Sequence, residues 1–438
     1  MGKKLAAAWG SALNGYPASD TSFAVVTFKF REEMSTYLFI HQNMPAQFLH
    51  MCRYLRDRGH RIAFITRNQA NELVKVQKVT YELSREPKAD IHPYLQGPES
   101  GVLHGQAVYR ATAALLKQNF NPDLVVGHAG WGETLFMKDL LPKTPLLSYF
   151  EFFYQAQGRD LDFDPEYPST VDNQLSTRFK NTVNLIAMES CDWGLTPTQW
   201  QFSTYPLHFQ SKMSVIHEGI DTKAIRPQDV AAFTTATGKT LHKGQKIVTY
   251  VARNLEPYRG FHIFMRAIPE IQRRHPDAEI LIVGSEGVSY GRRLPEGDSY
   301  KKRLLSEVSF NADTVHFTGH LETEQFRKVM QVSSAHVYLT YPFVLSWSLL
   351  EAMASGCLIV GSRTPPVEEV IAHRVNGLLV DFFNVNELAD AVCEVLARPE
   401  KFKRLRDAAR ATAVARFDLE TVSLPRQIAL LDDMMRRH

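Results

Sequence analysis

Cysteine is scarce, and the few present do not pair in sequence. Cys52, Cys191, Cys357 and Cys393 lie far apart and form no Cys-x-x-Cys step, so neither a zinc knuckle nor a redox motif is written here. Isolated buried thiols suit a reducing compartment, and a cytoplasmic location is the expectation. An excess of one charge is also missing. Fifty Lys and Arg stand against 47 Asp and Glu, a net of +3, which gives no general reason to expect a nucleic-acid partner. An uninterrupted membrane span is missing too. Val337–Ser362 is long enough, but it contains Pro342 and Gly356, and Glu351 would lie near mid-membrane, where a carboxylate is costly. Neither Gly-x-Gly-x-x-Gly nor a Walker A sequence occurs, which weakens a dehydrogenase or NTPase reading. What remains is an ordinary globular composition, 44% hydrophobic and 22% charged over 438 residues, with room for two or three domains.

The first 33 residues differ from the rest. Two lysines precede a short, broken apolar run, "LAAAWGSALNGYPASD", which is not the clean core of a signal peptide. "MSTYLFIHQNMP" then opens a strand almost at once, so the folded part is expected to begin near Met34. Residues 1–35 are expected to be a poorly ordered extension, and removal of residues 1–33 is expected to leave the melting temperature nearly unchanged. Tyr37–Ile40 reads as a buried strand, and Pro45, Phe48, Met51, Cys52 and Leu55 read as a helix ended by Gly59. Residues 61–66 are a second strand, which makes a βαβ unit and implies a parallel sheet. "DLVVGH", "PLLSYF", "WGLTPT" and "KMSVIHEGID" continue the pattern. It restarts with strands at 246–251, 279–284, 315–319, 336–339, 357–362 and 377–380, and with a helix on Phe261, Phe264, Met265, Ile268 and Ile271. The expected fold is α/β, two doubly wound parallel-sheet domains facing a cleft: residues 36–220 and 221–415, with a C-terminal helix over 416–438. The join falls around 219–245, where apolar strands are missing.

Ligands of such sheets bind beyond the carboxyl ends of strands. One strand end leads into "YPFVLSWSLLEAMASG", where Ser346, Trp347 and Ser348 open a helix whose N-terminus suits a phosphate. Glu351 lies a turn further in. A carboxylate can accept from both hydroxyls of a cis-diol such as ribose, or it can pair with a nearby Arg. "YVARNLEPYRGF" puts Arg253 and Arg259 on another strand-end loop, where paired guanidiniums suit a diphosphate; two solvated surface arginines are the commoner outcome for such a pair, and the strand-end position favours the first. Gly219, Gly284 and Gly287 also follow strands, a weak signal on its own. "KFKRLRDAAR" (401–410) could dock on anionic lipid, but its plainer reading is a solvated helix face.

Together these pieces resemble the retaining nucleotide-sugar glycosyltransferases of the GT-B fold, specifically glycosyltransferase family 4, over residues 36–438. The likeness is carried by "AR" at 252–253, "RG" at 259–260, "VGSEG" at 283–287, "FTG" at 317–319, "VIHEGID" at 215–221 and above all "LEAMASG" at 350–356. The resemblance implies that Glu351 binds the donor ribose and that Arg253 and Arg259 act on the diphosphate, with Arg259 in place of a Lys. It implies that the Ser346 and Trp347 amides meet the phosphates, with Leu321 near the base and Gly219 and Gly284 around the donor. His128, in "DLVVGH", would face the donor sugar and acceptor. His41 and Asn43, in "HQNMPAQF", and Glu151, in "YFEFFY", would lie on the acceptor side. The family's Glu that touches the donor sugar falls at Phe343, which cannot accept those bonds. The implied reaction moves a sugar from a UDP- or GDP-sugar to a sugar, lipid-linked or small-molecule hydroxyl, with retention and with no cofactor or metal. A lapsed nucleotide-sugar-binding or scaffold protein, and a sugar-nucleotide epimerase, are the alternatives. The resemblance also suggests that the C-terminal segment, with Ile428, Leu431 and Met435 at helical spacing, returns to the first domain.

Overall fold

The computed structural model describes residues 34–437. The extension expected over residues 1–35 lies, as far as residue 33, outside the described residues. Seven strands form the first sheet: β1 (Thr36–Ile40), β2 (Arg61–Thr66), β3 (Gln77–Thr80), β4 (Leu124–His128), β5 (Leu146–Tyr149), β6 (Trp193–Thr196) and β7 (Met213–Val215). Their order is β3-β2-β1-β4-β5-β6-β7, and every pairing is parallel. Helices cover both faces, which is why Leu38–Ile40 and Ile62–Ile65 are continuous apolar runs rather than alternating ones.

A hairpin of β8 (Ala232–Thr234) and β9 (Thr240–His242) follows. The join at 219–245 therefore does contain strands, contrary to the sequence expectation. They are three-residue pieces in which only Phe233 and Leu241 point inward, too short to show a period. Both residues pack with Ile247, Leu281 and Val283, so the hairpin belongs to the second domain's core. The second sheet holds β10 (Ile247–Asn254), β11 (Glu279–Ser285), β12 (Val315–Gly319), β13 (Ala335–Tyr338), β14 (Ile359–Ser362) and β15 (Leu378–Val380). Its order is β12-β11-β10-β13-β14-β15, again parallel throughout. Two Rossmann-like sheets in one chain make the architecture α/β of the GT-B type. Val337–Ser362 is divided among β13, a loop, an eight-residue helix and β14, and no helix among the described residues is long and apolar enough to cross a membrane.

The chain crosses between the domains twice, side by side. Ile220 N–H donates to Phe417 O at 2.8 Å, and Leu419 N–H donates back to Ile220 O at 2.9 Å. After the second crossing the helix Leu424–Arg437 buries Ile428, Leu431 and Met434 among Phe39, Phe48 and Met51 of the first domain. A third connection is a strap, the irregular segment 151–170 after β5. It leaves the first sheet and lies on the second domain, where Phe152 joins the core and Phe163 meets Tyr341 and Phe382, each at 5.1 Å between rings.

Candidate functional site

The carboxyl ends of β1, β5 and β7 face those of β10 and β13 across a cavity of about 880 Å³. Arg253, in the last turn of β10, is exposed at its wall. Arg259 follows on a single 3₁₀ turn, Pro257–Arg259, and is only 7% exposed. Its Nη1 donates to Thr340 Oγ1 at 2.8 Å and to Val344 O at 3.0 Å, and its guanidinium carbon lies 5.3 Å from the centre of the Tyr290 ring. Gly260 lets the chain turn here: its φ is +66°, and a Cβ would lie 2.4 Å from that of Leu339.

The helix Trp347–Ala354 points its N-terminus at the same cavity, with Ser346 as its cap. The Ser346 amide does not stand open as the sequence resemblance implied. It donates to the Tyr338 hydroxyl at 2.8 Å, so the phenol is the group left to donate from that point. Trp347 is 43% exposed, and its Nε1 donates to Glu218 Oε2 at 3.1 Å across the domain boundary. Phe343 lines the cavity but is held in an aromatic cluster, 4.8 Å from the Phe152 ring and 4.9 Å from Tyr290. Its carbonyl accepts from Trp200 Nε1 at 2.8 Å. Glu256 organises the facing loop: its carboxylate accepts from the amides of Ser289, Tyr290 and Gly291 at 2.8–3.1 Å.

On the first-domain side, His41 accepts the Asn43 amide at Nδ1 (2.9 Å) and donates from Nε2 to Gln47 Oε1 (2.9 Å). Burial pushes it down to about 4, the bond to Gln47 opposing, so it is neutral at pH 7. His128, the last residue of β4, is fully buried and does not line the cavity. Trp131, stacked on it at 4.2 Å, does. The Gly130 amide donates to His128 Nδ1 at 3.0 Å, which leaves the proton on Nε2, and Nε2 has no partner. Glu151 lines the cavity just beyond β5, and its backbone carbonyl accepts from Gln201 Nε2 at 2.7 Å.

The structure thus gathers Arg253, Arg259, Phe343, Ser346, Trp347, His41, Asn43 and Glu151 around one space. It does not bring Glu351, Leu321, Gly219, Gly284 or His128 to that wall. Glu351 lies a turn below Trp347, half-buried. Burial pushes it up to about 7 while Arg327 pulls it down, and no described residue hydrogen-bonds to its carboxylate. Leu321 packs on the hairpin cluster. Gly284 serves close packing, since a Cβ there would lie 2.7 Å from Ala252 O. Gly219, at φ +96°, serves the domain crossing, since a Cβ would lie 2.9 Å from Leu419 Cα. Sequence reasoning passed over His217, Glu218, Trp131 and Tyr290, which also line the cavity. Of these, His217 and Glu218 carry a local signal, a His-Glu pair ahead of Gly219 at a strand end.

Residues 58–225 match the family model described as Glycosyl transferase family 4 group, and residues 233–412 match Glycosyl transferases group 1. Two glycosyltransferase models thus match the two sheet domains in turn, on a chain whose fold is of the GT-B type. Spore coat protein SA of Bacillus subtilis is 28% identical over 221 residues, 49% of this chain and 57% of that protein. A GDP-mannose-dependent alpha-(1-6)-phosphatidylinositol monomannoside mannosyltransferase of Mycobacterium tuberculosis is 26% identical over 240 residues, 52% of this chain and 56% of its own length. The similarity thus spans about half the length of the curated relatives it matches. Among solved structures, Alr3699/HepE of Anabaena in complex with UDP-glucose covers 91% of this chain and 99% of its own, at TM-score 0.62 and 16% identity. Sucrose-phosphate synthase of Thermosynechococcus elongatus covers 92% and 100%, at TM-score 0.67 and 15% identity. At these identities the likeness establishes the fold.

Proposed function

We propose that this protein transfers a glycosyl group from a nucleoside-diphosphate sugar to an acceptor hydroxyl, with retention of configuration and without a metal ion. The observation that carries the reading is the convergence of Arg253, Arg259 and the N-terminus of the helix Trp347–Ala354 on one cavity. As the glycosidic bond breaks, negative charge grows on the leaving diphosphate. Fixed guanidiniums and a helix N-terminus stabilise that charge without reorganising, the kind of term that often dominates a rate enhancement. Arg259, buried and already oriented by Thr340 and Val344, is the preorganised member of the pair. Arg253 is the exposed one. Glu351 does not line the cavity; it lies a turn along the same helix from Trp347, with no hydrogen bond from a described residue, and is the carboxylate we assign to the two ribose hydroxyls beyond that wall. His41 and Asn43 stand across the cavity, where an acceptor would enter.

The donor base is uracil or guanine. Alr3699/HepE was solved with UDP-glucose, and the Mycobacterium tuberculosis relative is named for GDP-mannose. The acceptor is a sugar, a lipid-linked sugar or a small polyol. The protein works in the cytoplasm, and the basic helix Lys403–Phe417 is the surface that would rest on an anionic membrane.

Titration calorimetry of the purified protein with UDP, GDP and ADP in EDTA tests this directly. Saturable binding of UDP or GDP is expected, and Arg253→Ala should weaken it roughly 10- to 100-fold, the value of a lost charge-assisted phosphate contact. Binding of none of the three overturns the reading. Transfer activity that disappears in EDTA and returns with Mg²⁺ or Mn²⁺ overturns its metal-free part.

A further inference from the structure

The cavity is divided by charge. Arg253 and Arg259 enter from the second domain, Glu151 and Glu218 from the first. The two carboxylates are differently placed. Glu218 is occupied by the protein: the Tyr149 hydroxyl donates to Oε1, Trp347 Nε1 donates to Oε2, and the His217 ring nitrogen lies 3.4 Å from Oε2. Glu151 receives no hydrogen bond from any described residue at its carboxylate. Burial and the charge of Glu218 push it up to about 6, and Arg253 and Arg259 pull the other way. Beside it, Phe152 packs on Phe343, so position 343 offers a ring and a carbonyl already taken by Trp200. A half-buried carboxylate that lines a cavity and receives no donor from the described residues is free to accept from a ligand that brings donors of its own.

Glu151 interacts electrostatically with both arginines, the groups assigned here to the diphosphate. The sugar nearest a diphosphate is the one attached to it. We propose that Glu151 accepts hydroxyl hydrogens of the transferred sugar and, with the fixed charge of Glu218 behind it, restricts the donor to uncharged sugars and excludes uronates. This rests on the nucleotide-sugar reading above and refines it from an acceptor-side to a donor-side role. A uronate would bring a third negative charge to a wall that already carries two carboxylates, and like charges so placed are disfavoured. The same wall accommodates a hydroxyl, which donates to one carboxylate oxygen and accepts nothing it needs.

The test is calorimetric titration of the full chain and of Glu151→Gln with UDP, UDP-glucose and UDP-glucuronate, and with GDP, GDP-mannose and GDP-mannuronate. Within the series whose diphosphate binds, the wild type should take the neutral sugar nucleotide roughly tenfold or more tighter than the uronate. Both ligands are diphosphate diesters, so their ratio cancels effects on the diphosphate. Glu151→Gln should bring that ratio to within about threefold, with the uronate gaining. A ratio unchanged in the variant, or a wild type that takes the uronate as readily, overturns the proposal while leaving the nucleotide-sugar reading intact. Failure of both UDP and GDP to bind the wild type overturns that reading, and this one with it. The wild type alone gives a second measurement should the variant not fold. Between pH 7.5 and 5.5 the neutral-to-uronate ratio should fall as Glu151 takes up a proton, and a flat ratio counts against it. The groups facing Glu151 are Glu218, Arg253, Arg259 and the phenols of Tyr149, Tyr154 and Tyr205, with His217 behind Glu218; burial holds all three phenols above their usual range, out of this window.

Discussion

Glu351 shows how a single residue can be unfavourable for folding and useful for binding. It sits inside "SLLEAMA", its carboxylate unbonded, and burial pushes it up to about 7 against the opposing pull of Arg327. The sign follows from which state holds the proton. Between the ordinary carboxylate range and about 7 the unfolded chain has lost that proton and the folded chain keeps it, so stability falls as pH rises through this window. The full effect is on the order of 2–3 kcal/mol. Glu351→Gln cannot titrate. Without ligand it should therefore match the wild type near pH 4 and exceed it at pH 8, as read by thermal unfolding. Its stabilisation by UDP or GDP should shrink at the same time, because the amide cannot accept at both oxygens. A variant that melts below the wild type at pH 8 would mean that Glu351 is a structural group held by its surroundings.

Among the elements, the strap at 151–170 carries more of the site than its lack of regular structure suggests. Asp164 is buried in the second domain's surface, where Tyr341 donates its hydroxyl and the His262 ring lies 3.1 Å away. Burial pushes the carboxyl up, but the close His262 ring and the bond from Tyr341 more than offset that, so it is held below its usual range. Its contribution is thus present at neutral pH and is lost as pH falls through the carboxylate range. Asp164→Asn should cost about 1–3 kcal/mol in urea unfolding at pH 7, with the gap to wild type closing in acid. A gap that stays constant with pH would rule out the ionised carboxyl as its source. Beyond Glu151, the docking of this strap was not legible in the sequence, since its second-domain partners lie about a hundred residues or more further along. The strands were legible where both faces are covered: β1, β2 and β10 to β14 are dense apolar runs. β3, "QKVT", was not, because it is a half-exposed edge whose composition is that of a loop. The site divides the same way. Arg253, Arg259 and Ser346 could be placed by their position at strand and helix ends. Glu218 could not, because its role depends on Trp347, 129 residues away.

At the scale of the whole molecule, the cleft is held together by contacts that are few and specific. The short helix Gln199–Ser203 belongs to the first domain, yet its N-terminus is capped by Glu369 of the second. Oε1 accepts the Gln199 amide at 2.9 Å and Oε2 the Trp200 amide at 2.7 Å. Trp200 then reaches Phe343 O, and Trp347 reaches back to Glu218. The two side-by-side crossings at Ile220 and Leu419 leave a natural axis about which the domains can part. Two charge-assisted bonds at a helix N-terminus are worth roughly 1–3 kcal/mol, enough to shift a two-state balance about tenfold or more. Glu369→Ala should therefore populate a more open arrangement without unfolding either domain. Small-angle scattering should report a larger radius of gyration for the unliganded variant, and saturating UDP or GDP should bring it back towards the wild-type value. Apparent affinity falls by the fraction of molecules still closed, so KM for the donor should rise while kcat at saturation changes little. Glu368→Ala is the matched control: among the described residues this neighbour's carboxylate reaches only Arg363, at 3.8 Å, and its loss should leave both readouts unchanged. Identical scattering and identical KM for the two variants would mean that the cap at Gln199 does not hold the cleft, and that the strap and the paired crossings fix the domains by themselves.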